Sequence, residues 1–205
     1  MIVELPPVIV PARRLARLAG LGLVVAAVST LAGHLAADPG LTAWGATISD
    51  YAAADRGGAV ETGMFLCGLS SLLLLVALHL ARQPLTWLAS AGMGVWSAGL
   101  LIAAYVPTDP LGEPLSMNGQ IHRYASVTAF VALVIACVSL GRRLGEAAWL
   151  RVLTAVAGTA GVAMLVSAEI GHRVMIGAAE RILTAAQILA LILLAVRVSR
   201  QPQDH

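Results

Sequence analysis

"VETGMFLCGLSSLLLLVALHLARQPLTWLASAGMGVWSAGLLIAAYV", Val60–Val106, holds two long apolar segments joined only by "ARQP". A bilayer core of about 30 Å takes about 20 apolar residues as a helix. Each side of the ARQP turn has about that length, so the stretch reads as a membrane helical hairpin. Working outward, four more segments qualify: Leu15–Ala37, Tyr124–Leu140, Leu150–Ile170 and Ile182–Val198. With Val60–Leu80 and Leu85–Val106 they make six. The fourth and sixth are the shortest, and both are predicted to extend into their polar flanks. Nothing alternates with the two-residue period of a barrel, which leaves helices as the spanning form. The expected fold is all-α: one polytopic domain over residues 1–205, six transmembrane helices in one bundle.

Composition agrees with that reading. The chain is 59% hydrophobic and 12% charged, against about 25% charged in an ordinary globular protein. A net charge of +2 is too small and too scattered to point to nucleic acid. Every basic residue is arginine, which speaks for genome composition before function. Cys67 and Cys137 sit inside apolar runs without a CxxC partner, so both read as small core residues. The first apolar run follows Arg13, Arg14 and Arg17 and ends in "HLAAD", as a signal peptide would. Its spanning length and the five later segments favour an uncleaved first helix.

Arginine placement orients the bundle. Arg13, Arg14, Arg17, Arg82, Arg142, Arg143, Arg151, Arg197 and Arg200 flank one end, and only Arg56, Arg123, Arg173 and Arg181 the other. The acids divide the opposite way. Asp38, Asp50, Asp55, Glu61, Asp109, Glu113, Glu169 and Glu180 fall at the second end, and Glu4, Glu146 and Asp204 at the first. The arginine-rich end, with both termini, is therefore expected in the cytoplasm of a multi-pass protein of the cell membrane. Its connections are short, whereas those of the other end are long and rich in special residues: "DPGLTAWGATISDYAAADRGG", "PTDPLGEPLSMNGQIHR" and "EIGHRVMIGAAER". Long ordered loops more often carry function. Gly92 with Gly99, and Gly158 with Gly161, read as places of close helix approach.

The three long loops concentrate the ionisable groups. "ATISDYAAA" is predicted to form a short interfacial helix carrying Asp50 and Tyr51, with Ser49 or Asp50 as its cap. Asp109 follows Pro107, and His122-Arg123 is expected to open the fourth spanning helix. Glu169, His172 and Arg173 have spacings that would put them on one helical face, and Glu180-Arg181 is expected to open the sixth helix. Each has a plain reading as well: Asp109 as a turn former, His122-Arg123 as a lipid-phosphate belt, Glu180 as a helix-start acid, Asp50 as a cap. Glu169 resists this, because an ionisable group at the membrane boundary is costly unless paired; Arg173 or Arg181 would be its partner. Together, on three loops at one end, they point to a polar site over a pocket.

Asp109, His122, Glu169 and His172 could make an imidazole–carboxylate zinc site, but no HExxH or HxxxH spacing supports it. No metal and no cofactor is expected. Ser49, His122 and Asp109 have the residue types of a hydrolase triad without a nucleophile elbow. His34, near the loop-rich end of the first helix, could join this cluster but reads first as a lone, satisfied histidine; His79, at the other end, reads as structural.

"ISDYAA", "YVPTDP", "GQIHRYAS" and "GAAERIL", in that order and spacing, resemble the bacterial membrane family called domain of unknown function 998, over residues from about 20 to 198. The resemblance implies a six-helix bundle in the cytoplasmic membrane, with Asp50, Asp109, His122, Glu180 and Arg181 as recurring polar positions. It supplies no function. "GAAER" departs from the pattern, where a bulkier residue is expected near Gly177–Ala179.

Two readings of function follow. One is a membrane enzyme doing acid–base chemistry on a lipid-soluble, isoprenoid-like substrate, for example a terpene cyclase. Its catalytic set would be Asp50, Asp109, His122, Glu169 and Glu180. Tyr51, Arg123, His172, Arg173 and Arg181 would bind the substrate. The other is a protein that binds or transports a lipid or an anionic small molecule through its arginines, or a non-catalytic subunit. Membrane lipid is the expected partner in every case.

Overall fold

The computed structural model describes residues 9–35, 40–145 and 147–201. Glu4, Asp38, Glu146, Asp204 and His205 lie outside them, as does the expected end of the first helix at Ala37. Seven helices and no strand are present among the described residues: α1 (Ile9–Leu35), α2 (Ile48–Ala54), α3 (Ala59–Leu80), α4 (Trp87–Tyr105), α5 (Met117–Gly141), α6 (Ala148–Glu169) and α7 (Ile176–Ser199). All but α2 are long and apolar enough to cross a membrane. The short helix expected in "ATISDYAAA" is α2.

Three helix starts lie well before the apolar runs, α1 opening at Ile9 where Leu15 was expected. The helix expected from Tyr124 begins at Met117, and the one expected from Ile182 begins at Ile176. Both extend into polar flanks as anticipated, but farther. Ser116 explains the first: its hydroxyl accepts from Gly119 N at 3.2 Å and caps the helix. His122-Arg123 and Glu180-Arg181 therefore do not open their helices. They sit in the second turn: Glu180 and Arg181 reach the segment before and at the start of α2, His122 reaches Val106 and Ser49, and Arg123 stays exposed against Glu169.

The spanning helices form a ring. α1 packs on α3, α3 on α4, α4 on α5, α5 on α6, α6 on α7, and α7 returns to α1. Along α1 the buried positions are Ala12, Ala16, Ala19, Leu23 and Ala26, while Leu18, Leu21, Val25, Val28 and Leu31 face outward. Small residues inward and large ones outward suit packing in lipid, where close contact replaces the hydrophobic drive between helices. Gly99 shows the same device at α4–α5: a Cβ there would lie 2.7 Å from the Ala125 carbonyl oxygen. Gly92 meets the Ala132 oxygen likewise, at 2.6 Å. Gly158 and Gly161 do not, since added carbons would sit at 4.0 and 3.9 Å from Val134 and Leu183. They leave room rather than close an interface.

The core is apolar with a few satisfied polar groups. Fully buried Trp96 donates its indole N–H to Ser71 Oγ at 2.9 Å, and Ser71 in turn bonds the Cys67 carbonyl. Cys67 and Cys137 are both buried and free, as expected of core residues. Arg13 on α1 reaches the main chain of Gln201 beyond α7, so the start of the first helix and the end of the last share one end. The long loops occupy the other, and every carboxylate among the described residues belongs to it.

Candidate functional site

The loop-rich end is organised around α2. Thr47, not Ser49 or Asp50, is its N-cap. Thr47 Oγ1 accepts from Asp50 N at 3.1 Å and Asp50 Oδ2 accepts from Thr47 N at 2.7 Å, a reciprocal capping box. The T-x-x-D spacing was present in the sequence, and the box satisfies two helix-end donors at once. Tyr51 and Ala52 turn inward onto Val60, Met64 and Ala103.

Helix α7 clasps this element from below. Buried Glu180 accepts from Ile48 N at 2.5 Å. Arg181 Nη1 donates to the carbonyls of Ala43 and Ala46, at 2.9 and 2.8 Å, and its guanidinium lies 5.1 Å from the centre of the Tyr51 ring. Gly177 N donates to Trp44 O at 2.9 Å. A Cβ at Gly177 would run into the Ala46 carbonyl and lie 2.7 Å from the Ala43 carbonyl. That close backbone approach explains the small residue where a bulkier one was expected.

Two further side chains, Arg173 and His34, add to the arrangement. Arg173 Nη2 donates to Asp50 Oδ2 at 2.6 Å. His34 of α1 stacks against Tyr51, ring centres 4.3 Å apart, while its Nδ1 bonds the Thr30 carbonyl at 2.6 Å. His34 Nε2 and Arg181 Nη2 are buried with no partner. The lone-histidine reading of His34 thus gives way to the other: its side chain joins the cluster through Tyr51 on the next helix in the chain.

His122 is the central group. It is 2% exposed and bridges two elements, with Nδ1 2.9 Å from Val106 O and Nε2 2.9 Å from Ser49 Oγ. A carbonyl only accepts, so Nδ1 carries a proton. In the neutral ring Nε2 is then the lone-pair nitrogen, and Ser49 donates its hydroxyl to it. The arrangement is an oriented base with a part-buried hydroxyl in its grip, the third partner being a main-chain carbonyl.

Asp109 does not join that pair. Its Oδ2 accepts from Ser116 N at 2.7 Å and Ser116 Oγ at 3.0 Å, so it braces the start of α5. The turn expected at "PTDP" is not formed there but follows it, Glu113 N donating to Pro110 O at 3.1 Å, and the Ser49–His122–Asp109 triad is reduced to its first two members. Glu169 is corrected as well. It ends α6 and pairs with Arg123 at 3.2 Å, both side chains more than half exposed, rather than with Arg173 or Arg181. The shared helical face of Glu169, His172 and Arg173 is not formed. His172 and Arg173 take left-handed φ values of 48° and 64° just past the helix end, as does Met175 at 65°. Such conformations cost about 1 kcal/mol or more each in non-glycine residues. They are held in part by Ser167 Oγ, which bonds the Val174 carbonyl. His172 is exposed and the four suggested metal ligands do not converge. No group of three or more His, Cys, Asp or Glu residues suited to a metal occurs among the described residues.

Six of the ten anticipated positions therefore meet around α2: Asp50, Tyr51, His122, Arg173, Glu180 and Arg181. Asp109, Arg123, Glu169 and His172 lie outside the cluster. Ser49, Thr47, His34 and Gly177 complete it. A family model described as a protein of unknown function (DUF998) matches residues 18–197. No curated protein and no solved structure matches the chain.

Proposed function

The chain belongs to the DUF998 family of proteins of unknown function, and from that premise we propose that this multi-pass membrane protein is an enzyme. It moves a proton to or from a lipid-soluble substrate at the loop-rich end of its bundle. The observation that supports the reading is the His122–Ser49 pair. A buried imidazole locked in one tautomer by a main-chain carbonyl, with its free nitrogen on a hydroxyl, is a general base in working position. Asp50, Arg173, Glu180 and Arg181 hold the helix that presents Ser49. They are positioning residues in this account, a change from the catalytic and binding roles their spacing suggested.

The isoprenoid form of the reading needs a carboxylic acid to start the reaction. Glu180, Asp109 and Glu169 are each engaged, by Ile48 N, Ser116 and Arg123 respectively, so this form has no separate support. Binding of a small polar or anionic molecule is the second reading, favoured by the unpartnered His34 Nε2 and Arg181 Nη2. The arginine asymmetry supports placing both termini in the cytoplasm.

The test is comparative. Wild-type protein, His122→Asn, Ser49→Ala and Arg123→Ala are produced at equal levels in one host, and lipid extracts are compared by mass spectrometry. Asparagine can keep the bond to Val106 but cannot serve as the base. The enzyme reading expects a lipid-soluble species that changes with wild type and Arg123→Ala and not with the other two. Four identical extracts sink it.

A further inference from the structure

The arginine-rich end contains a feature that the loop-rich site does not use. Between the start of α4 and the end of α5 lies an open groove of about 520 Å³, walled by Leu85, Thr86, Trp87, Leu88, Ser139 and Arg143. Its chemistry is graded. Arg143 supplies a cation that makes no ion pair among the described residues, and Thr86 and Ser139 supply hydroxyls 2.6 Å apart. Thr86 Oγ1 already accepts from Ala89 N at 3.0 Å as the cap of α4. The Thr86–Ser139 bond uses one of the two hydroxyl protons, in whichever direction it runs, and leaves the other for a ligand oxygen.

The apolar side is equally directed. Trp87 is 80% exposed, at the helix end where indoles settle into the headgroup layer. Leu88 lines the groove, and Val95 and Ile102 continue its stripe at seven-residue intervals along the lipid-facing side of α4. Arg82 and Arg142 lie at the same end, while all described carboxylates lie at the other. A ligand that suits this gradient carries a negative charge at its head and a chain that runs down α4.

We propose that the groove seats the headgroup phosphate of an anionic phospholipid, held by Arg143 and the Thr86–Ser139 hydroxyls, with an acyl chain along Leu88, Val95 and Ile102. The cationic and hydroxyl donors match phosphate oxygens, and Trp87 covers the glycerol level. The site is independent of the chemistry proposed for the loop-rich end.

The experiment uses the full chain in nanodiscs of phosphatidylcholine, alone or mixed with phosphatidylglycerol, and reads thermal unfolding and lipid affinity. Phosphatidylglycerol is expected to raise the Tm of the wild type. Arg143→Gln is expected to weaken that lipid about tenfold, the effect of losing one charge-assisted hydrogen bond. Ser139→Ala weakens it less, and Arg82→Gln, which changes a neighbouring charge outside the groove, leaves it within twofold. Inorganic phosphate added to phosphatidylcholine discs gives no rise. Equal loss in Arg82→Gln and Arg143→Gln would mean a diffuse basic surface and overturn the site. A rise with inorganic phosphate alone would overturn the lipid as its ligand, and so would no rise with phosphatidylglycerol.

Discussion

The two ends of this bundle are built on different principles. At the loop-rich end, side chains from α1, α5, α7 and the α6–α7 turn reach across to α2 and its approach. Two of them, Glu180 and Arg181, bond main-chain groups there, and His122 bonds the main chain at the end of α4. At the arginine-rich end the chain reverses in a few residues, and a wide groove stays open beside the Thr86–Ser139 contact. A loop without regular structure leaves backbone donors and acceptors unpaired, which is costly near lipid. Buried Glu180 and half-buried Arg181 at the loop-rich end meet that requirement, and the same bonds hold the helix that carries Ser49. Short turns have little backbone to satisfy, and Arg143 opposite makes no ion pair among the described residues.

Substitutions that attack this difference should rank by how much backbone they disturb. Gly177→Val pushes a branched side chain into the Ala46 carbonyl, contact that neither backbone can avoid. It is expected to cost about 3 kcal/mol or more of stability and to lower folded yield sharply, read by thermal unfolding and size-exclusion recovery in detergent. Glu180→Leu strands the Ile48 N–H, for an expected loss of about 1–3 kcal/mol, whereas Glu180→Gln keeps an acceptor and should lose less. Denaturation of the two variants side by side separates the hydrogen bond from the charge. Arg173→Gln removes a partly exposed ion pair from Asp50, for about 1 kcal/mol at most. Asp50 retains its place in the capping box, so helix content by circular dichroism should be unchanged. Arg123→Ala and Arg143→Gln, both at exposed positions, should leave unfolding within about 0.5 kcal/mol of wild type. A large loss in either of the last two would erase the distinction between the ends.

The bundle was legible in the sequence because spanning length and hydropathy are local, additive properties. All six spans were found from apolar runs of bilayer length. Their starts were less legible at α5 and α7, where His122 and Glu180 lie a turn or more inside helices that begin in polar sequence. Hydropathy is blind to a cap such as Ser116. The site was half legible for a related reason. Clustering at one end followed from topology, and it did bring Asp50, His122, Glu180 and Arg181 together. Partners did not follow, because a carbonyl at Val106 or an amide at Ile48 has no side-chain signature. The helical face expected for Glu169, His172 and Arg173 assumed that α6 continued. It ends at Glu169, and the chain then turns through left-handed conformations that the residue types there do not advertise.

The central claim is that Val106 fixes His122 in one tautomer, so that its Nε2 is turned as a base onto Ser49. Solid-state ¹⁵N NMR of histidine-labelled protein in bilayers, with His122 assigned by loss of its signals in His122→Asn, tests this directly. The account predicts a protonated Nδ1 and an unprotonated, hydrogen-bonded Nε2 whose shift moves on Ser49→Ala. A proton on Nε2 with a bare Nδ1, or an Nε2 signal indifferent to Ser49→Ala, would contradict it.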